Sequence, residues 1–234
     1  KQIQKSSAII ANSLYTKNDL VNTLSIPPEK ITAIYPGINP NLKKINIARP
    51  EKLKAPYILY LGTLEPRKNI PLIIKAFNII KQKNHFKDLK LVLAGKSGWL
   101  YEKIFKTIET SPYKSQIIIW GAVNPEEKNI LYNLAEAFIY PSFFEGFGFP
   151  PLEAQACGCP VIASNRTSLP EILEESALLI DPWREKGLAI RLEDILTSRS
   201  LRSDLVARGF KNVQRFNWNK TACELLKLFA QFSS

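Results

Sequence analysis

Short apolar runs that alternate with helix-length segments most restrict the fold of this chain. Six runs are rich in β-branched and aromatic residues: Tyr57 to Leu61, Leu89 to Ala94, Gln116 to Trp120, Ala137 to Tyr140, Pro160 to Ala163 and Ala177 to Ile180. Almost continuous apolar character is typical of parallel strands, because helices cover both faces of a parallel sheet. The order therefore predicts an α/β fold with a doubly wound parallel sheet and flanking helices, whose ligands bind beyond the carboxyl ends of the strands.

The segments between these runs carry helical signals. Ile70 to Lys83 and Pro125 to Ala135 have apolar residues at three- and four-residue spacing, which predicts two amphipathic helices. Ser168 and Glu171 have the spacing of a capping box, in which each side chain bonds the backbone N–H of the other residue. We expect this pair to begin another helix.

The chain divides into four parts by composition and periodicity. Residues 1–40 contain a short strand, a short helix and another strand, and we interpret them as the remnant of an N-terminal domain. Residues 41–56 bear lysines and prolines with little periodicity, which favours an interdomain linker. We expect the main α/β domain with the parallel sheet over residues 57–216. The pattern of residues 217–234 predicts a C-terminal helix, which we expect to pack toward the N-terminal domain. Because the chain begins at Lys1 and has no methionine, we expect it to be part of a longer protein.

Two carboxylates bracket a glycine-containing turn in the segment Glu145-Gly146-Phe147-Gly148-Phe149-Pro150-Pro151-Leu152-Glu153. Glycine permits close approach of a ligand to the backbone, and proline suits the first turn of a helix, where its missing N–H is no loss. The segment predicts a helix start with free N–H groups, which attracts phosphate. The plainer alternatives are that Glu145 pairs with a lysine and that Glu153 compensates the dipole in the first helical turn.

A second charged segment, Gly62-Thr63-Leu64-Glu65-Pro66-Arg67-Lys68-Asn69, follows the first strand of the predicted sheet. A guanidinium binds phosphate through two parallel hydrogen bonds, and an ammonium adds a mobile point charge. Arg67 and Lys68 therefore predict a clamp for a diphosphate that needs no metal ion. The alternative is a solvated pair of loop charges, which is common in so basic a chain.

The composition favours an anionic partner and gives little support to a metal centre. The net charge of +11 is consistent with a nucleotide, an anionic membrane surface or a nucleic acid. Nucleic-acid binding is the least expected of the three, because the basic residues are scattered and form no aromatic-basic motif. The lone histidine, His85, and the Cys157-Gly158-Cys159 spacing match no usual metal site, so we expect none.

Several motifs resemble the retaining glycosyltransferases of the GT-B fold, and in particular their group 1, or family 4-like, mannosyl-, glucosyl- and galactosyltransferases. They are the two charged segments, residues 158–164, Ser168-Leu169-Pro170-Glu171, residues 177–182 and Phe216-Asn217-Trp218. The resemblance covers most of the chain and implies the Rossmann-like C-terminal domain that binds the nucleotide sugar, over residues 57–216. Residues 62–69 look most like the polysaccharide mannosyltransferases.

The resemblance also implies roles for individual residues. Glu145 would face the transferred sugar, Glu153 would accept hydrogen bonds from the ribose, and Arg67 and Lys68 would bind the diphosphate. Glu145, Arg67 and Lys68 form the expected catalytic set. Many relatives have an arginine at the position of Thr63, and we expect Arg67 to supply that charge. The donor-binding set is Gly62, Thr63, Val123, Gly146, Phe147, Gly148, Phe149, Leu152 and Glu153.

The implied reaction transfers a sugar from a nucleoside diphosphate to an acceptor hydroxyl, with retained configuration and without metal or cofactor, in polysaccharide or glycolipid synthesis. Mannose from GDP-mannose is the donor implied by the finer resemblance. The acceptor glycan or lipid-linked glycan would bind the missing N-terminal domain, so we expect the isolated chain to be poorly active. We expect a cytoplasmic protein, with peripheral contact to an anionic inner membrane face as a further hypothesis.

Three other functions are the alternatives. They are a nucleotide-sugar-binding module without activity, a nucleic-acid binder and a two-carboxylate glycoside hydrolase. A hydrolase is disfavoured because its chemistry needs neither a phosphate-binding helix start nor the two adjacent cations.

Overall fold

A computed structural model describes residues 6–231, so residues 1–5 of the expected N-terminal remnant and 232–234 of the expected C-terminal helix lie outside the described part. The strands are β1 (Ile9–Ala11), β2 (Ile31–Ala33), β3 (Tyr57–Leu61), β4 (Lys90–Ala94), β5 (Ile117–Gly121), β6 (Ala137–Tyr140), β7 (Val161–Ser164) and β8 (Leu178–Ile180). The α-helices are α1 (Leu14–Leu24), α2 (Ile70–Lys81), α3 (Glu102–Glu109), α4 (Pro125–Leu134), α5 (Phe149–Ala156), α6 (Leu169–Leu173), α7 (Glu185–Thr197), α8 (Arg199–Val213) and α9 (Trp218–Ala230).

Strands β3 to β8 form one parallel sheet in the order β5-β4-β3-β6-β7-β8. The chain winds outward from β3 through β4 to β5, then returns to place β6 on the other side of β3 and continues to β7 and β8. The predicted doubly wound α/β sheet is therefore confirmed, and the winding direction reverses between β3 and β6. In such sheets the ligand crevice lies outside the carboxyl ends of the strands at this reversal.

The core explains why the strands read as continuous apolar runs. Ile58 and Leu59 of β3 and Phe138 of β6 have no exposed surface, because helices cover both faces of the sheet. Helix α2 packs Ile73 and Phe77 into the same core, also without exposure. Full burial of one such side chain contributes about 1.5–3 kcal/mol, an upper bound that holds the sheet and its loops in place.

Local hydrogen bonds cap some helix starts, and helix α6 begins directly after Ser168 as predicted but without the predicted capping box. Asn124 and Glu127 form the capping box of α4, in which each side chain accepts the backbone N–H of the other residue. Ser168 and Glu171, the predicted capping box, form none, because Ser168 makes no side-chain cap bond. Both side chains are used by other segments of the chain, next to the candidate site.

Residues 6–35 form a small N-terminal unit that contacts the last helix. Strands β1 and β2 pair in parallel, and Ala11, Ile26 and Ile31 form a separate apolar cluster. The Thr221 hydroxyl of α9 donates to the Tyr35 carbonyl at 2.7 Å, which joins the last helix to this unit.

Residues 41–56, expected to form a linker, lie against the main domain. Leu42 and Leu53 are buried in its core, and Arg49 pairs with Glu136 at 2.7 Å. Across residues 6–231, no helix is both long and apolar enough to cross a bilayer.

Candidate functional site

The candidate site lies where the loops after β3 and β6 meet, at the reversal of the sheet. The Phe143 N–H donates to the Arg67 carbonyl at 2.9 Å, and the Ser142 hydroxyl donates to the same oxygen at 3.1 Å. Asn69 reaches further, donating its amide to the Pro182 carbonyl after β8 at 2.7 Å. These bonds hold the two predicted charged segments side by side, although they are far apart in the chain.

Glu145 joins both predicted cations in one ion cluster. Its carboxylate accepts from Lys68 Nζ at 2.6 Å and pairs with Arg67 Nη1 at 3.0 Å. Arg67 also pairs with Glu65 at 2.7 Å, and Lys68 donates to the Tyr140 hydroxyl at 2.7 Å. Lys68 and Glu145 are each only 8% exposed, so the alternative of a solvated loop pair is wrong for Lys68. The pairing of Glu145 with a lysine is present, and it is compatible with a role toward a sugar.

The surroundings keep the Glu145 carboxylate ionised and the Tyr140 hydroxyl neutral at pH 7. Burial by itself raises the pKa of Glu145, but hydrogen bonds and charges from Lys68, Ser142 and Arg67 outweigh it, so the pKa lies below its ordinary value. Burial raises the pKa of Tyr140 well above its ordinary value, so this hydroxyl stays neutral. The cluster therefore holds two cations balanced by Glu145 and Glu65, a balance that an added anionic ligand would change.

The loop that carries Glu145 is fixed by the segment after β7. Thr167 accepts the Glu145 N–H at 3.0 Å, and the buried Ser168 hydroxyl lies 2.9 Å from the Glu145 carbonyl and 2.7 Å from the Phe147 carbonyl. Ser168 was predicted only as a helix cap. Its position in the Ser-Leu-Pro-Glu motif was the available signal, but the local spacing did not reveal a partner some twenty residues away.

The N-terminal unit completes the attachment of the loop. Ser13 and Thr16 both donate to the Gly146 carbonyl, at 2.7 and 3.1 Å. Among residues 6–231, no acceptor is found for the backbone N–H groups of Gly146, Phe147 or Gly148. The loop thus turns its carbonyl groups toward the protein and keeps N–H groups available at the start of α5, as predicted for an anion site.

Helix α5 begins at Phe149, with prolines in its first turn as predicted. Gly148 precedes it with φ of 125°, and a Cβ there would lie 2.8 Å from Leu169 Cδ2, so a larger residue is strongly disfavoured. The first turn contains no acidic residue, and Glu153 is the fifth residue of the helix. The alternative that Glu153 compensates the first-turn dipole is therefore wrong.

Glu153 has two other partners. Lys128 of α4 donates to its carboxylate at 2.5 Å, and the Tyr132 hydroxyl donates at 3.1 Å. Burial raises the pKa of Tyr132 well above its ordinary value, which keeps the hydroxyl a donor. Lys128 was not predicted as a site residue, because nothing in its local sequence distinguishes it from the many other lysines.

Glu171 joins the N-terminal unit to the segment after β7 through three hydrogen bonds. Its carboxylate accepts the backbone N–H groups of Leu14 and Tyr15 at 2.7 and 2.9 Å, and the Tyr35 hydroxyl at 2.7 Å. Leu14 and Tyr15 open helix α1, whose positive end favours a carboxylate. The second half of the Ser-Leu-Pro-Glu motif therefore links two parts of the chain.

The other predicted donor-binding residues are not members of the ion cluster. Gly62 and Thr63 follow β3, and the exposed Thr63 accepts the Tyr60 hydroxyl at its carbonyl, 2.8 Å away. Val123 follows β5, two strands from β3 in the sheet, and is half-buried. Leu152 has no exposed surface, so its side chain belongs to the core. Over residues 6–231, no three His, Cys, Asp or Glu side chains are grouped to hold a metal ion.

Most of the chain matches a known protein family and is similar to proteins of that family. The family described as glycosyl transferases group 1 matches residues 43–213. O-antigen chain mannosyltransferase B from Escherichia coli is 35% identical over 173 residues, which are 74% of this chain and 45% of that protein. O-antigen chain mannosyltransferase RfbU from Salmonella typhimurium is 29% identical over 222 residues, which are 92% of this chain and 60% of that protein. The chain thus spans about half the length of these relatives.

Solved structures show the same architecture. Sucrose-phosphate synthase from Thermosynechococcus elongatus has a TM-score of 0.85 at 25% identity, with 98% of this chain and 59% of that chain covered. Anabaena HepE in complex with UDP and glucose has a TM-score of 0.86 at 19% identity, with 96% of this chain and 63% of that chain covered. The similarity to HepE shows the fold alone.

Proposed function

The chain belongs to the glycosyl transferases group 1 family, and we propose that it is the donor-binding part of a retaining enzyme that moves a sugar from a nucleoside diphosphate to an acceptor hydroxyl. Its fold is that of the GT-B glycosyltransferases, as the resemblance implied. One observation carries the proposal. Arg67 and the buried Lys68 bind Glu145, four residues before the start of α5, so the cations and the free N–H groups of one loop could bind the same diphosphate.

The chemistry requires stabilisation of charge on the leaving diphosphate. Arg67, Lys68 and the N–H groups at the start of α5 would supply it from fixed positions, which is electrostatic catalysis of the preorganised kind. These groups make a metal ion unnecessary in the proposed reaction. Glu145 would face the sugar, where its carboxylate favours the positive charge that develops during transfer, and Glu153 would accept hydrogen bonds from the ribose.

The relatives support mannose as the sugar and a glycan as the acceptor. Two of them, in Escherichia coli and Salmonella typhimurium, are named O-antigen chain mannosyltransferases. We therefore propose GDP-mannose as the donor and polysaccharide or glycolipid synthesis as the process. HepE was solved with UDP and glucose, so the base is best determined by direct comparison of nucleotides.

Calorimetry tests this proposal directly. The chain is titrated with GDP-mannose, UDP-glucose and ADP-glucose, each with and without a chelator. We expect GDP-mannose to bind most tightly and the chelator to have no effect. Failure of all three to bind at millimolar concentration would overturn the proposal.

A pair of variants locates the binding. Loss of charge-assisted hydrogen bonds in Arg67→Ala is expected to weaken binding by at least about tenfold. Arg191→Ala is the matched control, because Arg191 is half-exposed and, within residues 6–231, its one ion-pair partner is Asp194 on the surface of α7. Equal affinity in both variants would place the nucleotide elsewhere.

A further inference from the structure

A cavity adjoins the candidate site. It measures ≈ 410 Å³ and opens between α2, α3 and the turn before α7. Pro66 and Asn69 of the loop after β3 line one wall, and Phe143 of the loop after β6 lines another. The volume falls in the range of about 300–1,000 Å³ that is typical of small-ligand pockets. The cavity therefore shares its walls with the loops that carry Arg67 and Glu145.

An aromatic platform forms one side of this cavity. Trp183 stacks on Phe143 with ring centroids 4.3 Å apart and planes inclined by 29°. Trp183 is nevertheless 69% exposed, so its second face is available. The open face of such a ring can stack on the apolar face of a ligand.

Hydrogen bonds fix the backbone turn that carries Trp183. The backbone N–H of Trp183 donates to the Asp181 carboxylate at 3.1 Å. The backbone N–H of Arg184 donates to the Asp181 carbonyl, also at 3.1 Å. Asn69 ties the neighbouring Pro182 carbonyl to the loop after β3 at 2.7 Å. A rigid aromatic surface loses little conformational entropy when a ligand stacks on it.

Charged side chains lie among the apolar residues Leu72, Leu100 and Ile104 of the lining, and they can bond hydroxyl groups. Lys75 and Glu185 pair across the cavity at 3.3 Å, with both side chains about half-exposed, and Lys103 lies on the α3 side. A hexose ring has one face of C–H groups for an aromatic ring and a rim of hydroxyl groups for charged or amide partners. The concave shape of the cavity suits a small ligand that enters it better than the surface of a bilayer.

We propose that this cavity binds one hexose unit of a neutral oligosaccharide, stacked on Trp183 beside the transfer site. The inference rests on the proposed function, because the oligosaccharide is the acceptor or growing product of that same reaction. Phe143, which supports Trp183, is two residues from Glu145 along the loop. An oligosaccharide bound in the cavity would therefore lie close to the transferred sugar.

Fluorine NMR can observe this site separately from the nucleotide. The four tryptophans are replaced by 5-fluorotryptophan, and each line is assigned by substitution with phenylalanine. The chain is then titrated with α-linked mannotriose, maltotriose and cellotriose. We expect at least one trisaccharide to shift the Trp183 line in a saturable manner and to leave the Trp218 line unchanged.

Variants measure the contribution of the platform. We expect Trp183→Ala to weaken trisaccharide binding about tenfold, and Trp183→Tyr to retain most of it, because a smaller ring still stacks. Trp218→Ala is the matched control, since Trp218 is also exposed, at 54%, but lies on α9. GDP affinity should be the same in all three and shows that each variant is folded.

Two results would overturn the inference. The first is GDP binding with no shift of the Trp183 line by any trisaccharide at 20 mM, about the weakest affinity worth calling a site; the proposed function would then stand without this subsite. The second is a Trp183 line that responds to phosphatidylglycerol vesicles and to none of the sugars, which would make the platform a membrane contact. A sugar response without GDP binding would instead remove the proposed function and keep the site.

Discussion

Removal of the Glu145 charge should destabilise the empty chain and strengthen its binding of a nucleoside diphosphate. Glu145→Gln keeps the size of the side chain and an oxygen that can accept from Lys68, but it leaves the two cations of the cluster without their shared partner. A diphosphate can replace that partner. The two effects therefore have opposite signs, which distinguishes this variant from one that simply damages the fold.

The size of the stability loss follows from the geometry. At an effective dielectric constant of about 20, a carboxylate 2.6 Å from one cation and 3.0 Å from another gains roughly 6 kcal/mol from each before desolvation is counted. Desolvation offsets much of this, and the Arg67 side chain is 39% exposed, so its share is screened. Removal of one member of a buried pair costs about 3–5 kcal/mol. Because glutamine retains one hydrogen bond, we expect about 3 kcal/mol.

Urea unfolding with and without GDP measures both effects. A loss of about 3 kcal/mol leaves the variant folded if its stability is in the usual range of about 5–15 kcal/mol. Relief of repulsion between Glu145 and the diphosphate should make GDP binding roughly fivefold tighter. At equal GDP concentration the nucleotide would then stabilise the variant more than the parent chain, because the stabilisation grows as RT ln(1 + c/Kd), where c is the GDP concentration, and the variant has the lower Kd. In the complete enzyme, the same variant should lose sugar transfer.

The pH dependence gives an independent check. The pKa of Glu145 is lowered by folding from an ordinary value of 4.5, so its contribution is fully present above pH 4.5 and is lost as the pH falls through the lower folded value. The stability difference between parent and Glu145→Gln should therefore be constant from pH 6 to 8 and shrink below pH 4.5. A difference under about 0.5 kcal/mol at pH 7, or GDP binding weakened as much as by Glu153→Ala, would refute the assigned roles.

Three further variants test the surroundings of the cluster. Glu153→Ala should weaken GDP binding about tenfold in calorimetry, because the ribose loses a charged acceptor; unchanged affinity would exclude that role. Ser168→Ala should lower the free energy of urea unfolding by about 1–3 kcal/mol, since the Glu145 carbonyl and a second loop carbonyl lose a buried donor. Gly95→Ala should leave little soluble, cooperatively unfolding protein by circular dichroism, because a Cβ there would lie 1.9 Å from the Gly62 carbonyl oxygen; a stability near that of the parent would contradict this contact.

The main sheet was predictable because its strands are buried on both faces. Tyr57–Leu61 and Ala137–Tyr140 have the predicted bounds, and the other strands differ by a residue or two. Helix ends were less predictable. The short helix expected within residues 1–40 is α1, and its start at Leu14 is set by Ser13, whose side chain accepts the Thr16 N–H and caps it. A single serine among several polar residues gives only a weak signal for a cap.

The charged segments of the site could be predicted from the sequence, but the hydrogen bonds that hold them to other parts of the chain could not. Arg67, Lys68 and Glu145 were recognised from local motifs, and the parallel topology brings them together at one edge of the sheet. Ser168 and Glu171 were assigned to each other because capping-box spacing is a local pattern. In the structure, partners from distant segments take both side chains, and a local pattern contains no information about that competition.

The charge balance of the cluster is the property that sequence motifs could least reveal, and it bears most directly on the proposed mechanism. Lys68 and Glu145 are 77 positions apart and almost equally buried, so each makes burial of the other tolerable. Glu145 holds Arg67 and Lys68 in place in the empty chain, and a diphosphate bound as proposed would compete with it for the same two cations. Under the proposed function, donor binding therefore weakens the hold of Arg67 and Lys68 on Glu145 and leaves its carboxylate freer to act on the sugar.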